Sequence, residues 1–146
     1  MVFTMKLLVI ANRTVDSNEL FEVLRARAGR GPIEVTLVAP STRGRGDETA
    51  QRLERAVQAI GDAGIPVEGV QGDPDPMIAV ADTWDPRRFD EVVVATLPGA
   101  TSRWLAANLP KRVERFTGAQ VTHVVAHSSG SGIMSGGERG EQSLRR

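Results

Sequence analysis

The sequence contains no cysteine and no tyrosine, and its formal net charge is zero because 18 basic residues balance 18 acidic residues. Without cysteine there are no disulfides, no thiol nucleophile and no cysteine-ligated metal, and nothing indicates secretion. A chain without net positive charge is poorly suited to bind nucleic acid or an anionic membrane surface. Four phenylalanines and two tryptophans offer few rings for stacking on single-stranded bases. The composition therefore predicts neither a nucleic-acid partner nor a membrane partner.

Long hydrophobic runs are also missing. The longest apolar run near the N-terminus, residues 7–11, is too short for a signal peptide or a membrane-spanning helix. We therefore expect a cytoplasmic protein. A chain of 146 residues suits one domain that can fold alone. We predict that this domain covers residues 1–126 and that the Ser/Gly-rich tail, residues 127–146, is disordered.

What the sequence does have is a regular alternation of strand-like and helix-like patterns. Short β-branched runs, typical of buried strands, occupy residues 6–11, 33–39, 67–71, 91–96 and 121–126. Between these runs lie four segments in which apolar residues recur at helical spacing. We expect the four helices to be capped by Asp16, Asp47, Asp75 and Asn108. This alternation predicts an α/β fold with a five-stranded parallel sheet and helices on both faces. Glycine and charge in the third run predict an edge strand.

The order of these motifs resembles the universal stress protein family over about residues 6–126. The resemblance rests on the opening strand through Asn12, on Gly72-Asp73-Pro74 followed by Ile78, Ala81, Asp90 and residues 92–94, and on residues 112–115 of the closing helix. It implies a three-layer, Rossmann-like α/β/α fold with sheet order 3-2-1-4-5 and a ligand cleft above strands 1 and 4.

The resemblance also implies a homodimer formed by pairing of the last strand across a two-fold axis. Residues 120–126 carry no charge when histidine is neutral, and they lack the lysine or proline that guards many exposed edges. The sequence is therefore compatible with a paired edge at this strand.

The sequence departs from the glycine-rich motif with which ATP-binding members of that family hold phosphate. Ala95 stands where the first glycine would be, Pro98 and Gly99 lie near the second, and Ala107-Asn108 replaces Gly-Ser. A Cβ in such a loop crowds the anion, and proline removes an N–H donor. We therefore expect the ordinary triphosphate site to be damaged.

Arginine side chains are the candidates for any remaining anion affinity. Arg13, Arg43, Arg45 and Arg103 follow strands 1, 2 and 4, whose carboxyl ends share one edge of the sheet. Guanidinium groups bind phosphate and carboxylate, although solvated loop charge is the ordinary alternative. The residues that we expect to contact a ligand are Ala11, Asn12, Arg13, Ala39, Ala95, Pro98, Gly99, Arg103 and Asn108.

Several of these residues have an ordinary structural alternative. Asn12 stands where the family usually has aspartate and is either a base or ribose ligand or part of a turn. Asn108 is interpreted as a helix cap rather than as a ribose ligand. Trp104 is interpreted as a packing residue beside the cleft rather than as a stacking platform. Asp73 and Asp75 are interpreted as turn and cap residues, so no metal is expected.

Two functions remain open. The first is a non-enzymatic stress-response module that acts as a dimer, with an altered, weak or absent nucleotide site. The alternative is a protein that binds ATP or AMP in a remodelled cleft above strands 1 and 4. An enzyme is disfavoured because His123 has no recognisable acid partner, and no nucleophile or metal cage is evident. No cofactor is expected with certainty, and ATP or AMP are the candidate ligands.

Overall fold

The computed structural model describes residues 3–42, 44, 46–99 and 102–127. Most of the predicted tail, residues 128–146, lies outside the described residues, and so do Arg43 and Arg45. The elements, in chain order, are β1 (Met5–Ala11), α1 (Asn18–Arg30), β2 (Ile33–Pro40), α2 (Gly46–Asp62), β3 (Val67–Gly72), α3 (Pro76–Thr83), β4 (Glu91–Thr96), α4 (Arg103–Ala106), α5 (Leu109–Thr117) and β5 (Gln120–Val125).

The five strands form one parallel sheet in the order β3-β2-β1-β4-β5. The predicted sheet order is confirmed, and β3 lies at an edge as expected. From β1 the chain first moves outward to β2 and β3, and then returns to place β4 on the other side of β1. The carboxyl ends of β1 and β4 therefore form the topological switch point, where open α/β sheets bind ligands.

Two apolar layers cover the sheet. On one face, Leu20 and Leu24 of α1 and Leu53 of α2 pack against β1 and β2. On the other face, Val80 of α3 and Val113 of α5 pack against β1 and β4. Burial on both faces explains why the strand sequences are uninterrupted apolar runs rather than alternating patterns. The predicted three-layer α/β/α architecture is confirmed.

The start of α1 differs from the prediction. Ser17, not Asp16, is the N-cap, because its Oγ accepts a hydrogen bond of 3.2 Å from the backbone N–H of Leu20. Asp16 is instead fully buried. The predicted cap at Asp47 is also wrong, because α2 begins at Gly46 and Asp47 lies within its first turn. The cap of α1 thus lies one residue later than predicted, and Asp16, expected to be a cap, is a buried acid.

The other two helix starts agree with the sequence to different degrees. Asp75 caps α3 as predicted, since its Oδ1 accepts from the N–H of Met77 at 2.9 Å. Asn108 occupies the N-cap position of α5, but its backbone is left-handed (φ 59°, ψ 40°) and its side chain makes no capping hydrogen bond. The predicted capping bond of Asn108 is therefore wrong. The residue instead provides the sharp turn between α5 and α4, a helix that the sequence did not indicate.

An ion pair at the amino end of β4 connects α1 to the sheet. The guanidinium of Arg27 donates to both carboxylate oxygens of Glu91, at 2.9 and 2.7 Å. Thr122 of β5 also donates its hydroxyl hydrogen to Glu91 and accepts from Arg27. These contacts join α1, β4 and β5 at the edge of the sheet opposite the switch point.

The packing of α2 on β3 requires a residue without a side chain at position 69. A Cβ on Gly69 would lie 2.9 Å from Val57 Cγ2 and 3.1 Å from Leu53 Cγ.

No helix within the described ranges is long and apolar enough to cross a membrane.

Candidate functional site

A cleft of about 520 Å³ opens above the carboxyl ends of β1 and β4. Its walls come from the segments after β1, β2 and β4, from the first turns of α2 and from α4. The lining residues are Asn12, Arg13, Thr14, Thr42, Glu48, Thr49, Arg52, Ala95, Thr96, Leu97, Ser102, Arg103 and Trp104. The cleft thus lies at the switch point and carries mainly hydroxyl and guanidinium groups.

The structure brings together some of the residues predicted from the sequence. Asn12, Arg13, Ala95 and Arg103 line the cleft. Ala11 and Ala39 are fully buried in the core beneath α1 and α2. The remaining predicted residues, Pro98, Gly99 and Asn108, are not among the lining residues in the described part of the chain.

Sequence reasoning missed the contribution of α2. Glu48, Thr49 and Arg52 reach the cleft from the first turns of this helix. The sequence did carry a signal, because Glu48 and Arg52 are four residues apart and so share one helix face. This signal is weak, because a polar helix face usually contacts only solvent.

Arg52 extends from α2 to the segment after β1. Its Nη1 donates to the backbone oxygen of Arg13 at 3.4 Å, and its Nη2 lies 3.3 Å from Glu48 Oε2. Its side chain is only 20 % exposed, whereas that of Glu48 is 49 % exposed. Among the described lining residues, three guanidinium groups face one carboxylate. The cleft therefore has an excess of positive charge and suits an anionic ligand.

Hydroxyl groups hold the walls of the cleft in place. The Thr14 hydroxyl donates to the backbone oxygen of Ala95 at 3.1 Å, which ties the segment after β1 to the end of β4. Ser102 Oγ accepts from the N–H of Leu105 at 3.1 Å and caps α4. Each hydroxyl has further hydrogen-bonding capacity. The walls are thus fixed by the chain itself, and their hydroxyl groups can still contact a ligand.

A second arginine of α2 holds the same segment after β1. Arg55 Nη2 lies 3.3 Å from Oδ2 of the fully buried Asp16, whose Oδ1 has no hydrogen-bond partner. Burial raises the pKa of Asp16, although the hydrogen bond from Arg55 and the charges of Arg52 and Arg55 act in the opposite direction. Arg52 and Arg55 together connect α2 to the segment between β1 and α1.

The cleft is also connected to β5 through a threonine and a histidine. Thr96 Oγ1 lies 2.7 Å from His123 Nε2, and Thr96 is only 2 % exposed. Burial lowers the pKa of His123, so the imidazole is neutral at pH 7. In the described part of the chain no carboxylate pairs with His123. The pair is therefore incomplete as a catalytic relay of the serine-protease type.

Metal binding finds no support in the described ranges, where no three His, Cys, Asp or Glu side chains cluster. Asp73 and Asp75 have the turn and cap roles predicted for them. Asp73 Oδ1 accepts from the N–H of Asp75 at 2.9 Å, and Asp75 caps α3.

No protein-family model and no curated protein sequence matches the chain. Among solved structures, it matches a universal stress protein in complex with cAMP, with a TM-score of 0.52 and 19 % sequence identity. The match covers 88 % of this chain and 100 % of that chain. At this identity, the likeness shows a shared Rossmann-like fold.

Proposed function

We propose that the protein is a regulatory module of the universal stress protein type that binds a nucleotide in this cleft. The observation that carries the proposal is the convergence of Arg13, Arg52 and Arg103 on a cleft at the switch point of the sheet. Guanidinium groups are well suited to phosphate because their donors match its oxygens in pairs. The structural neighbour, a universal stress protein, was crystallised with the nucleotide cAMP.

In this proposal arginine side chains replace the backbone amides of a glycine-rich phosphate loop. Ala95 is almost completely buried at the end of β4, and Pro98 has no N–H to donate. Phosphate recognition therefore depends on side chains from the segment after β1, from α2 and from the start of α4. Such a site is altered with respect to the glycine-rich motif and is expected to bind nucleotides weakly.

The remainder of the cleft offers groups for the nucleoside. Trp104 lines the cleft while also packing against the core cluster of Leu109 and Val113, so its ring is held in position. We assign to Trp104 the apolar contact with the base and to Asn12 a hydrogen bond to the base or ribose. ATP and AMP are the candidate ligands from the sequence, and we add cAMP because the structural neighbour binds it.

Titration calorimetry with AMP, cAMP and ATP tests the proposal. We expect R103Q to weaken nucleotide binding at least about ten-fold, because a charge-assisted contact is lost. The matched control is R112Q, which removes an exposed arginine of α5 that is not among the lining residues. Absence of heat and of any thermal shift at millimolar nucleotide would rule out the proposed function.

The module is proposed to act as a homodimer through β5. This strand pairs with β4 and with no other strand of the described sheet, and Val125 on it is 37 % exposed. Residues 120–126 contain no Lys, Arg, Asp or Glu that would oppose pairing with a second copy. Light scattering after size exclusion should give a dimer that V125K converts to monomer. A strict monomer at tens of micromolar would contradict the proposed dimer but not the proposed nucleotide binding.

The proposed role is non-enzymatic, and a cytoplasmic location remains a prediction from the sequence. Thr96 lines the cleft and its hydroxyl lies 2.7 Å from His123 Nε2, but in the described part of the chain no carboxylate pairs with His123 to complete a catalytic relay. A turnover screen on nucleotides and aryl phosphate esters tests this part of the proposal. Product formation that disappears in T96V would contradict it.

A further inference from the structure

We propose that His123 is a positioning residue of the nucleotide site, and that protonation of its imidazole makes the Thr96 hydroxyl a hydrogen-bond donor to the ligand phosphate. Nucleotide binding in the cleft thus strengthens as the pH falls. The inference rests on the proposed nucleotide function and adds a means of regulating it. The supporting observations are one short hydrogen bond, the burial of one partner and the exposure of the other.

Thr96 and His123 connect the cleft to the outer strand of the sheet. Thr96 ends β4, lines the cleft and is 2 % exposed. Its Oγ1 lies 2.7 Å from Nε2 of His123, a residue of β5 that is exposed. The buried hydroxyl in the wall of the cleft is therefore bonded to a group that can exchange protons with solvent.

The direction of this hydrogen bond follows from the burial of the hydroxyl. A buried O–H requires an acceptor, and within the described residues the acceptor at hydrogen-bonding distance from Thr96 Oγ1 is His123 Nε2. In the neutral imidazole, Nε2 therefore accepts from Thr96, and Nδ1 carries the ring proton. In this state the hydroxyl hydrogen is directed at the histidine and is not offered to a ligand.

Protonation of His123 reverses the bond. Both ring nitrogens of an imidazolium are donors, so Nε2–H donates to Thr96 Oγ1. The hydroxyl keeps its own hydrogen, which then needs another acceptor. A phosphate oxygen provides this acceptor in a cleft that Arg13, Arg52 and Arg103 also line. The step takes up one proton from solvent, which resides on Nε2, and no covalent bond of the ligand changes.

The charges around β5 leave His123 free to titrate. The elements packed against β5 are β4, α1 and α5. Glu91 of β4 and Arg27 of α1 contact Thr122, whose side chain points to the opposite face of the strand from His123. On the His123 face, α5 carries four exposed charged residues: Lys111, Arg112, Glu114 and Arg115. Burial is the cause that lowers the pKa of His123, and no charge contributes to this shift.

Calorimetry with cAMP at fixed ionic strength tests the inference across pH 8 to 5, the range in which histidine titrates. A phosphodiester lacks the second ionisation of a monoester near pH 6, so the charge of cAMP stays constant. We expect wild-type affinity to rise by about three- to ten-fold as the pH falls, the value of one added hydrogen bond. H123Q should lack this rise. If only AMP binds, the same comparison of wild type and H123Q is made with AMP, whose own titration is common to both.

The matched control is H127Q. His127 is the other histidine of the chain, its ring lies 3.5 Å from Glu19, and neither of these two residues lines the cleft. H127Q should therefore keep the rise in affinity at low pH.

Two variants of Thr96 separate the hydroxyl from the charge of the imidazolium. T96V removes the hydroxyl and should abolish the rise, whereas T96S retains the hydroxyl and should preserve it. Magnetic resonance of the wild-type histidine rings gives an independent readout. Bound nucleotide should raise the pKa of His123 by the logarithm of the same factor, because the coupling between ligand and proton is reciprocal. Circular dichroism checks that each variant is folded across the pH range.

Several results would overturn the inference while the proposed function stands. Wild-type affinity that is equal at pH 8 and pH 5 would remove the regulation. A rise that persists in H123Q, or that disappears in H127Q, would assign it to another group. A rise that persists in T96V would show a long-range charge effect without the hydroxyl. Binding of no nucleotide at any pH would instead refute the proposed function, and this inference with it.

Discussion

Replacing Glu91 with glutamine should destabilise the protein strongly, because it breaks a buried ion pair. The Glu91 side chain is 5 % exposed and accepts two hydrogen bonds from Arg27, whose side chain is 17 % exposed. Removing one partner of a buried pair costs about 3–5 kcal/mol, because the other charge stays buried and unpaired. Since Arg27 retains some contact with water, we expect a loss of about 2–4 kcal/mol in the free energy of unfolding.

The stability difference between wild type and E91Q should also depend on pH in a defined direction. Burial alone would raise the pKa of Glu91, but hydrogen bonds from Arg27 and Thr122 and the charge of Arg27 outweigh it, so the pKa is lowered. An acid with a lowered pKa in the folded state contributes stability above its unfolded pKa, about 4.3. That contribution is lost as the pH falls through the lower folded value. The difference between wild type and E91Q should therefore be constant from pH 7 to about 5 and shrink below about 4.3.

Urea unfolding at several pH values measures this difference. The matched control is E22Q, because Glu22 forms an exposed ion pair of 3.7 Å with Arg25 on α1. That variant should stay within about 0.5 kcal/mol of wild type. Apolar replacement of both partners, as in R27M/E91L, should recover part of the loss from E91Q. Equal effects of E91Q and E22Q would refute the reasoning.

Three further predictions concern other parts of the chain. Burial raises the pKa of Asp16, so its ionised form opposes folding above that pKa. D16N should therefore stabilise the protein at pH 7, and this advantage should shrink as the pH falls toward 4. Lower stability of D16N than of wild type at pH 7 would contradict this. Burial lowers the pKa of His123, so stability should decline as the pH falls below about 6.5. If H123Q shows the same slope of thermal stability against pH as wild type, the titration of His123 is not the cause of the decline. G69A should cost about 1–3 kcal/mol in urea unfolding, because its Cβ would overlap α2. Its control G29A, with open space at the Cβ, should be neutral or slightly stabilising.

The sheet could be predicted from the sequence because its strands are buried on both faces. Residues 7–10 of β1 and 92–94 of β4 are fully buried, and such strands have a near-continuous apolar sequence with clear ends. Helix starts were harder, because neighbouring polar residues compete for the cap. Asp16 and Ser17 are both good caps, and only tertiary packing, which buries Asp16, decides between them.

The site was predictable only where it follows strand ends. Asn12, Arg13 and Ala95 lie at or directly after β1 or β4, so the topology alone places them at the switch point. Arg52 lies well inside α2, and its contribution depends on how far a long side chain reaches across to the next segment. The four-residue spacing of Glu48 and Arg52 places both on one helix face, but the spacing does not show that this face lies over the cleft.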